Sequence, residues 1–218
     1  MIVMLKKIYS IYCFDFDGVI IESAHLKSAA YRELFEKYFP EYMSEIMDYH
    51  LKNSGLVRYR KIRYICENIA KIKNADALIG KMIKEYETDI IEKVMNCPFV
   101  PGVIEYIEKL RNDKIRMFVV SGTPDDELKK IINERGISRY FEDIYGGSQN
   151  KTFWLKKIMN DTSVSADKIL FFGDGLNDYE AAADCSIDFA FRLTGENNYL
   201  KEQINFLLLF ENYYKLMM

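Results

Sequence analysis

From Pro101 onward the chain alternates short apolar runs with amphipathic helical stretches. Residues 117–120, 143–145, 169–172 and 188–191 read as strands. Residues 103–110, 125–135, 152–159 and 178–183 read as the helices between them. A further buried strand spans 8–14. A last edge strand is expected at 204–208, before a terminal helix from about Glu211. Strands that alternate with helices bury both faces of a sheet, so the expected core is α/β: a Rossmann-like, doubly wound, mostly parallel sheet.

The stretch between the first strand and Pro98 breaks this alternation. Residues 26–38, 43–51, 57–70 and 75–95 read as four consecutive helices. Leu26, Ala29, Ala30 and Leu34 line one side of the first, and Pro40 and Asn53-Ser54-Gly55 are breaks. Four helices in a row have no place inside the alternation. The expectation is an all-helical cap domain, residues 23–97, inserted into a core made of residues 1–22 and 98–218. Ligands of open α/β sheets bind beyond the carboxyl ends of the strands. The insertion leaves from that edge, which places it over the site as a lid.

With 218 residues, 49% of them hydrophobic, the chain can bury a full core. A net charge of −3 argues against nucleic acid as the main partner, which calls for a basic footprint. It does not exclude a phosphorylated small molecule, for which one local group of cations suffices. Cys13, Cys66, Cys97 and Cys185 are far apart and lack metal-ligand spacing, so they read as reduced, buried side chains. Lys6 and Lys7 interrupt the apolar N-terminus, and no run resembles a signal peptide or a membrane span. A cytoplasmic protein without a membrane partner is expected. An aromatic content of 14% is compatible with a monomer or a homodimer.

Polar groups gather where the strands end. Asp15-Phe16-Asp17-Gly18 closes the first apolar run. Carboxylates are costly beside a buried strand unless something binds them, and a hard cation such as Mg²⁺ is the usual answer. One of the pair could attack phosphorus and the other handle a proton; a polar strand end before a turn is the plain alternative. Ser121-Gly122-Thr123-Pro124 follows the next strand and could cradle phosphate oxygens, or simply cap a helix. Lys151 opens a helix, where a cation opposes the macrodipole. That placement makes sense if it reaches a carboxylate and a phosphoryl group; a solvated surface Lys is the alternative. Gly173-Asp174-Gly175-Leu176-Asn177-Asp178 adds two carboxylates and an amide. Asp174 is the better metal ligand, because Asp178 also has a helix start to cap.

Taken together, Asp15-x-Asp17, Ser121, Lys151 and Gly173-Asp174-x-x-x-Asp178 resemble the four motifs of haloacid dehalogenase-like hydrolases. The resemblance covers essentially the whole chain, with a helical cap inserted after the first motif. It implies a Mg²⁺-dependent phosphatase acting on a small phosphorylated metabolite. By that resemblance Asp15 is the nucleophile that forms an aspartyl-phosphate, and Asp17 the general acid and base. Ser121, Gly122, Thr123, Lys151 and Asn177 hold the phosphoryl group. Asp15, the backbone carbonyl of Asp17, Asp174 and Asp178 form the metal site.

Asp17 argues against the dehalogenase and phosphonatase branches of this family. Helical-cap phosphomutases commonly carry a His where Lys27 stands here, which favours hydrolysis over a phosphosugar mutase. A catalytically silent phosphate-binding protein is the non-enzymatic alternative. Substrate choice is expected from the cap: Lys27, Ser54, Gly55, Arg58 and Lys61. Arg58 and Lys61 share a helix face. They read either as receptors for an anionic group or as part of a solvated basic stripe. The substrate class is then a sugar phosphate or a phosphorylated acid.

Overall fold

The computed structural model describes residues 8–53 and 56–217. Lys6, Lys7, Ser54 and Gly55 lie outside them. Strands β1 (Ile11–Phe14), β2 (Arg116–Val120), β3 (Asp143–Tyr145), β4 (Ile169–Gly173), β5 (Asp188–Arg192) and β6 (Leu208–Phe210) form one sheet. Its order is β3-β2-β1-β4-β5-β6, and all neighbouring pairs run parallel. The chain builds outward from β1 through β2 to β3, then crosses back to β4 on the other side of β1. The sheet therefore reverses its winding at β1, and the segment after Phe14 enters the crevice there.

Period-two alternation sorts each strand between two apolar layers. Tyr12, Phe14, Met117, Val119, Leu170 and Phe172 face one layer, with helices α5 (Val103–Asn112) and α6 (Asp125–Glu134). Ile11, Cys13, Phe118, Val120, Ile169 and Phe171 face the other, with α7 (Lys151–Thr162) and α8 (Leu176–Asp184). Aromatic stacking reinforces the centre: the Phe14 and Phe172 rings lie 4.8 Å apart. All four cysteines are free and buried.

Between β1 and α5 lie α1 (Ala24–Tyr38), α2 (Met43–Lys52), α3 (Arg58–Tyr64) and α4 (Asp76–Asn96). Their apolar faces continue the first layer through Val19, Ile20, Ile21 and Val100. The chain enters and leaves this helical unit along two paired segments. Glu22 N donates to the Pro98 carbonyl at 2.9 Å and Val100 N to the Ile20 carbonyl at 3.0 Å. Arg135, at the end of α6, donates to the Met95 and Cys97 carbonyls at 3.1 and 2.6 Å, so a cation sits on the negative end of α4. No helix among the described residues is long and apolar enough to cross a membrane.

Three local expectations need correction. Ala29 is exposed, and α1 buries Ala30, Tyr31, Leu34 and Phe35 instead. The helix expected over 57–70 changes winding at Ile65–Ile69 to a π turn, which keeps Ile65, Cys66 and Ile69 buried. The edge strand expected at 204–208 forms at Leu208–Phe210, where it pairs with Ala190–Arg192; α9 (Tyr214–Met217) follows. Apolar character alone leaves such a short edge strand's register open.

Candidate active site

Asp15 follows β1 directly and is 5% exposed. Its Oδ1 accepts the Phe16 N–H at 2.7 Å, and its Oδ2 lies 2.9 Å from Lys151 Nζ. Gly18 makes the turn possible. Its φ is +72°, and a Cβ there would stand 2.1 Å from Asp174 Oδ2. No other residue permits the first strand's loop to approach the fourth strand's loop so closely.

Lys151 begins α7 yet is buried, and it also pairs with Asp178 Oδ1. Asp178 Oδ2 accepts the backbone N–H groups of Gly175 and Asp174 at 2.9 and 3.2 Å. One oxygen of Asp178 thus orders the Asp174 loop while the other holds Lys151. Burial lowers the Lys151 ammonium, but Asp15 and Asp178 more than offset this and hold it above the ordinary lysine range.

Ligand oxygens from Asp15, Asp174 and Asp178 all lie within 4.8 Å of one another. Burial pushes the Asp15 carboxyl up to about 7 against the pull of Lys151, with Asp178 and Asp17 adding repulsion. Burial, then Asp178 and Asp15, push Asp174 well up as well. Three hard oxygen donors with more negative charge than one lysine balances are the donor set that suits a divalent cation such as Mg²⁺. The carboxylate of Asp17 does not join them.

Asp17 turns the other way. Its Oδ1 accepts from Ser23 Oγ at 2.5 Å, and its Oδ2 from Lys27 Nζ at 2.5 Å and Thr123 Oγ1 at 2.7 Å. Lys27 also donates to Thr123 Oγ1 at 2.8 Å. Burial would raise the Asp17 carboxyl, but Lys27, with the Ser23 and Thr123 hydroxyls, outweighs it and holds the group below the usual carboxylate range. Lys27 comes from α1, so this contact joins the helical unit to the sheet edge.

Asp15, Asp17, Ser121, Gly122, Thr123 and Asp174 line one cavity, which Lys27, Arg58 and Lys61 close from the helical side. Lys151 and Asn177 line an adjoining groove that shares Ser121 and Gly122. Asn177 is therefore not brought to the same wall as Thr123. Arg58 and Lys61 are buried, 6% and 1% exposed, and are not part of a solvated stripe. Lys61 Nζ lies 3.4 Å from His50 Nδ1 and 5.0 Å from the centre of the Tyr31 ring. Burial, and then Lys27, press its ammonium down to about 7. Burial, with Lys61 and Arg32 nearby, also keeps His50 well below its ordinary value.

Several site residues escape sequence reading. Arg192 donates to the Gly18 carbonyl at 2.7 Å and to both oxygens of Glu22, at 3.0 and 2.6 Å. Asn197 Nδ2 donates to the Asp174 carbonyl at 2.8 Å. Tyr31, His50, Glu127 and Glu196 have no motif around them. The one signal that could have found any of them is a charge at the end of an expected buried strand, which is where Arg192 stands.

The family model for haloacid dehalogenase-like hydrolases matches residues 12–191. A phosphorylated carbohydrates phosphatase from Thermotoga maritima is 24% identical over 181 residues, covering 80% of this chain and 81% of that protein. A phosphoglycolate phosphatase from Pseudomonas putida is 26% identical, covering 78% of this chain and 64% of that protein. Among solved structures, β-phosphoglucomutase from Clostridium difficile superposes with a TM-score of 0.76 at 17% identity, covering 96% of this chain and 93% of that one. At that identity the likeness speaks for the fold alone.

Proposed function

The chain belongs to the haloacid dehalogenase-like hydrolases, and from that premise we propose that it is a Mg²⁺-dependent phosphatase of a small phosphorylated metabolite, working through an aspartyl-phosphate on Asp15. The observation that carries this reading is the meeting of Asp15, Lys151, Ser121 and Asp174 at one sheet edge, with Asp17 beside them. The relatives named as phosphatases support the same reaction class. In this reading residues 23–97 act as a cap domain over a core of residues 1–22 and 98–218. The free, buried cysteines fit a reducing cytoplasm.

Asp15 and Asp174 would hold the metal, with Asp178 ordering them and the Asp17 main chain beside them. When bound, Mg²⁺ supplies positive charge that lets an anionic phosphate approach an anionic carboxylate. Lys151 contributes its own charge to the same end, while Ser121 and the N–H groups of the following loop hold phosphoryl oxygens. An Asp15 oxygen forms a bond to phosphorus as the ester oxygen leaves. Asp17 hands that oxygen a proton. In the second half Asp17 takes a proton from water, which attacks phosphorus and releases Asp15 and inorganic phosphate. The contacts from Lys27, Ser23 and Thr123 favour the ionised, proton-accepting form of Asp17, which suits the second half; for the first half Asp17 takes up a proton from solvent before it hands it to the ester oxygen.

The test is phosphate release from a panel of sugar phosphates and phosphorylated acids, with Mg²⁺ and with EDTA. Turnover that needs Mg²⁺ and disappears in Asp15→Asn supports the reading. Isomerised phosphate esters without free phosphate would establish a mutase instead. Ligand binding without either product would leave a phosphate-binding protein.

A further inference from the structure

Arg58 is a cation suited to a second anionic group on a substrate, yet the chain itself fills it. Its Nη2 donates to Glu127 Oε1 and Oε2 at 3.1 and 2.9 Å, and its Nη1 donates to Glu87 Oε1 at 2.9 Å. The guanidinium carbon lies 4.7 Å from the centre of the Tyr86 ring. The Arg58 and Glu127 side chains are 7% and 10% exposed, so their charges meet almost without water. Glu127 stands in the first turn of α6, directly after the Ser121–Pro124 loop, whereas Arg58 opens α3 of the helical unit.

Counting charge at this wall decides what it can receive. Glu127, buried beside it, takes up the charge of Arg58, whereas Glu87 is 42% exposed and its contact is screened by water. Lys27 is engaged by Asp17, and Lys61, the third cation of this wall, lies against His50 Nδ1 and the Tyr31 ring, where burial and Lys27 press its ammonium toward the neutral form. The rest of this wall includes Ser28, Tyr31, His50 and Tyr86, which offer hydroxyls, an imidazole and ring faces. A carboxylate buried here would lack a full counter-charge, which is costly, whereas hydroxyls would find neutral partners.

We propose that Glu127 is a specificity-determining residue: by holding Arg58 from within the chain, it withdraws the cation that an acidic leaving group would seek and turns the site toward phosphate esters of neutral polyols. The proposal rests on the phosphatase reading and deepens it.

The experiment compares kcat/KM for glucose 6-phosphate and phosphoglycolate in the full chain and in Glu127→Gln, which keeps the shape and removes the charge. The expected result is a wild-type preference for the sugar ester. Glu127→Gln should then move the ratio toward the acid by about tenfold, as a freed charge-assisted contact allows. An unchanged ratio, or a wild-type preference for phosphoglycolate, overturns the proposal. Should Glu127→Gln not fold, Arg58→Gln/Glu127→Gln removes both charges together. It is expected to keep the wild-type preference, and a shift toward the acid overturns the idea. Absence of turnover on every ester, p-nitrophenyl phosphate included, defeats the phosphatase reading alone. Ligand-induced shifts in melting temperature with the same two esters then decide the specificity claim: a gain for phosphoglycolate in Glu127→Gln supports it and equal shifts overturn it.

Discussion

The two walls of the cavity are built on different principles. The sheet-edge wall is made of short loops, each held by backbone geometry: Asp15 by the Phe16 N–H, Asp178 by two loop N–H groups, and Gly18 by its positive φ. Its groups are close because the strands that carry them are hydrogen-bonded neighbours. The helical wall has no such frame. Lys27, His50, Arg58 and Lys61 come from α1, α2 and α3, and side-chain contacts hold them: ion pairs to Asp17 and Glu127, and tilted ring contacts in which Tyr31 lies 4.4 Å from Tyr86 and 4.7 Å from His50. A backbone frame tolerates no change in its loops, whereas a side-chain wall can be repacked. In the proposed function, chemistry belongs to the first wall and selectivity to the second.

Substitutions can break or sharpen this division. The largest effect is expected from Asp15→Asn, which removes the proposed nucleophile while leaving the fold; turnover should fall on the order of 10⁴-fold or more, measured by phosphate release. Gly18→Ala attacks the frame itself. The new methyl meets Asp174 at a backbone angle that favours glycine, so about 1–3 kcal/mol of stability should be lost, with most activity. Denaturant unfolding together with turnover reads both. An active, fully stable Gly18→Ala would remove the distinction between the walls.

On the helical wall, Lys61→Met should stabilise the protein. Lys61 is pressed down to about 7 by burial and by Lys27, and its ammonium faces Lys27, His50 and the Tyr31 ring. Below that pH the folded chain carries the charge against burial and the repulsion of Lys27. Above it, up to the ordinary lysine value near 10.4, the unfolded chain holds a proton that the folded one has lost, so stability rises with pH. The gain from Lys61→Met is therefore expected to be roughly 2–4 kcal/mol at pH 6 and to shrink toward pH 10. A pH-independent gain would show that packing, not charge, governs this position. The smallest effect is expected at Arg63, on the same helix but facing outward toward Glu67 and Asp76. Arg63→Ala should leave the melting temperature unchanged, since exposed ion pairs contribute little. A large drop would mean that the outer face of α3 also holds the wall in place.

The legibility of the chain follows the same line. The doubly wound core, the run of four helices and the strand-end carboxylates could all be read from periodicity and from polar residues at strand ends. Asp15 and Asp17 look equivalent in the sequence, two residues apart in one motif. The structure separates them: Asp15 faces Lys151 and the other carboxylates, while Asp17 faces Lys27, Ser23 and Thr123. Only the folded turn could decide that: strand alternation would put residues two apart on one side, and the turn after Phe14 aims them apart. Arg58 shows the converse. Its position three residues before Lys61 was visible, but its partner Glu127 lies 69 positions away in the core.

What the sequence by itself determined is thus the sheet with its helical insertion and the inventory of groups at the strand ends. These depend on local pattern: burial with a period of two or 3.6, and turns where glycine or proline requires them. What only the tertiary structure decided is which charges neutralise one another. Lys27 with Asp17 joins the first helix to the end of the first strand, and Arg58 with Glu127 and Arg192 with Glu22 join residues that lie 69 and 170 positions apart. The energy of a pair depends on the distance and burial its partners reach after folding, and no local pattern records either.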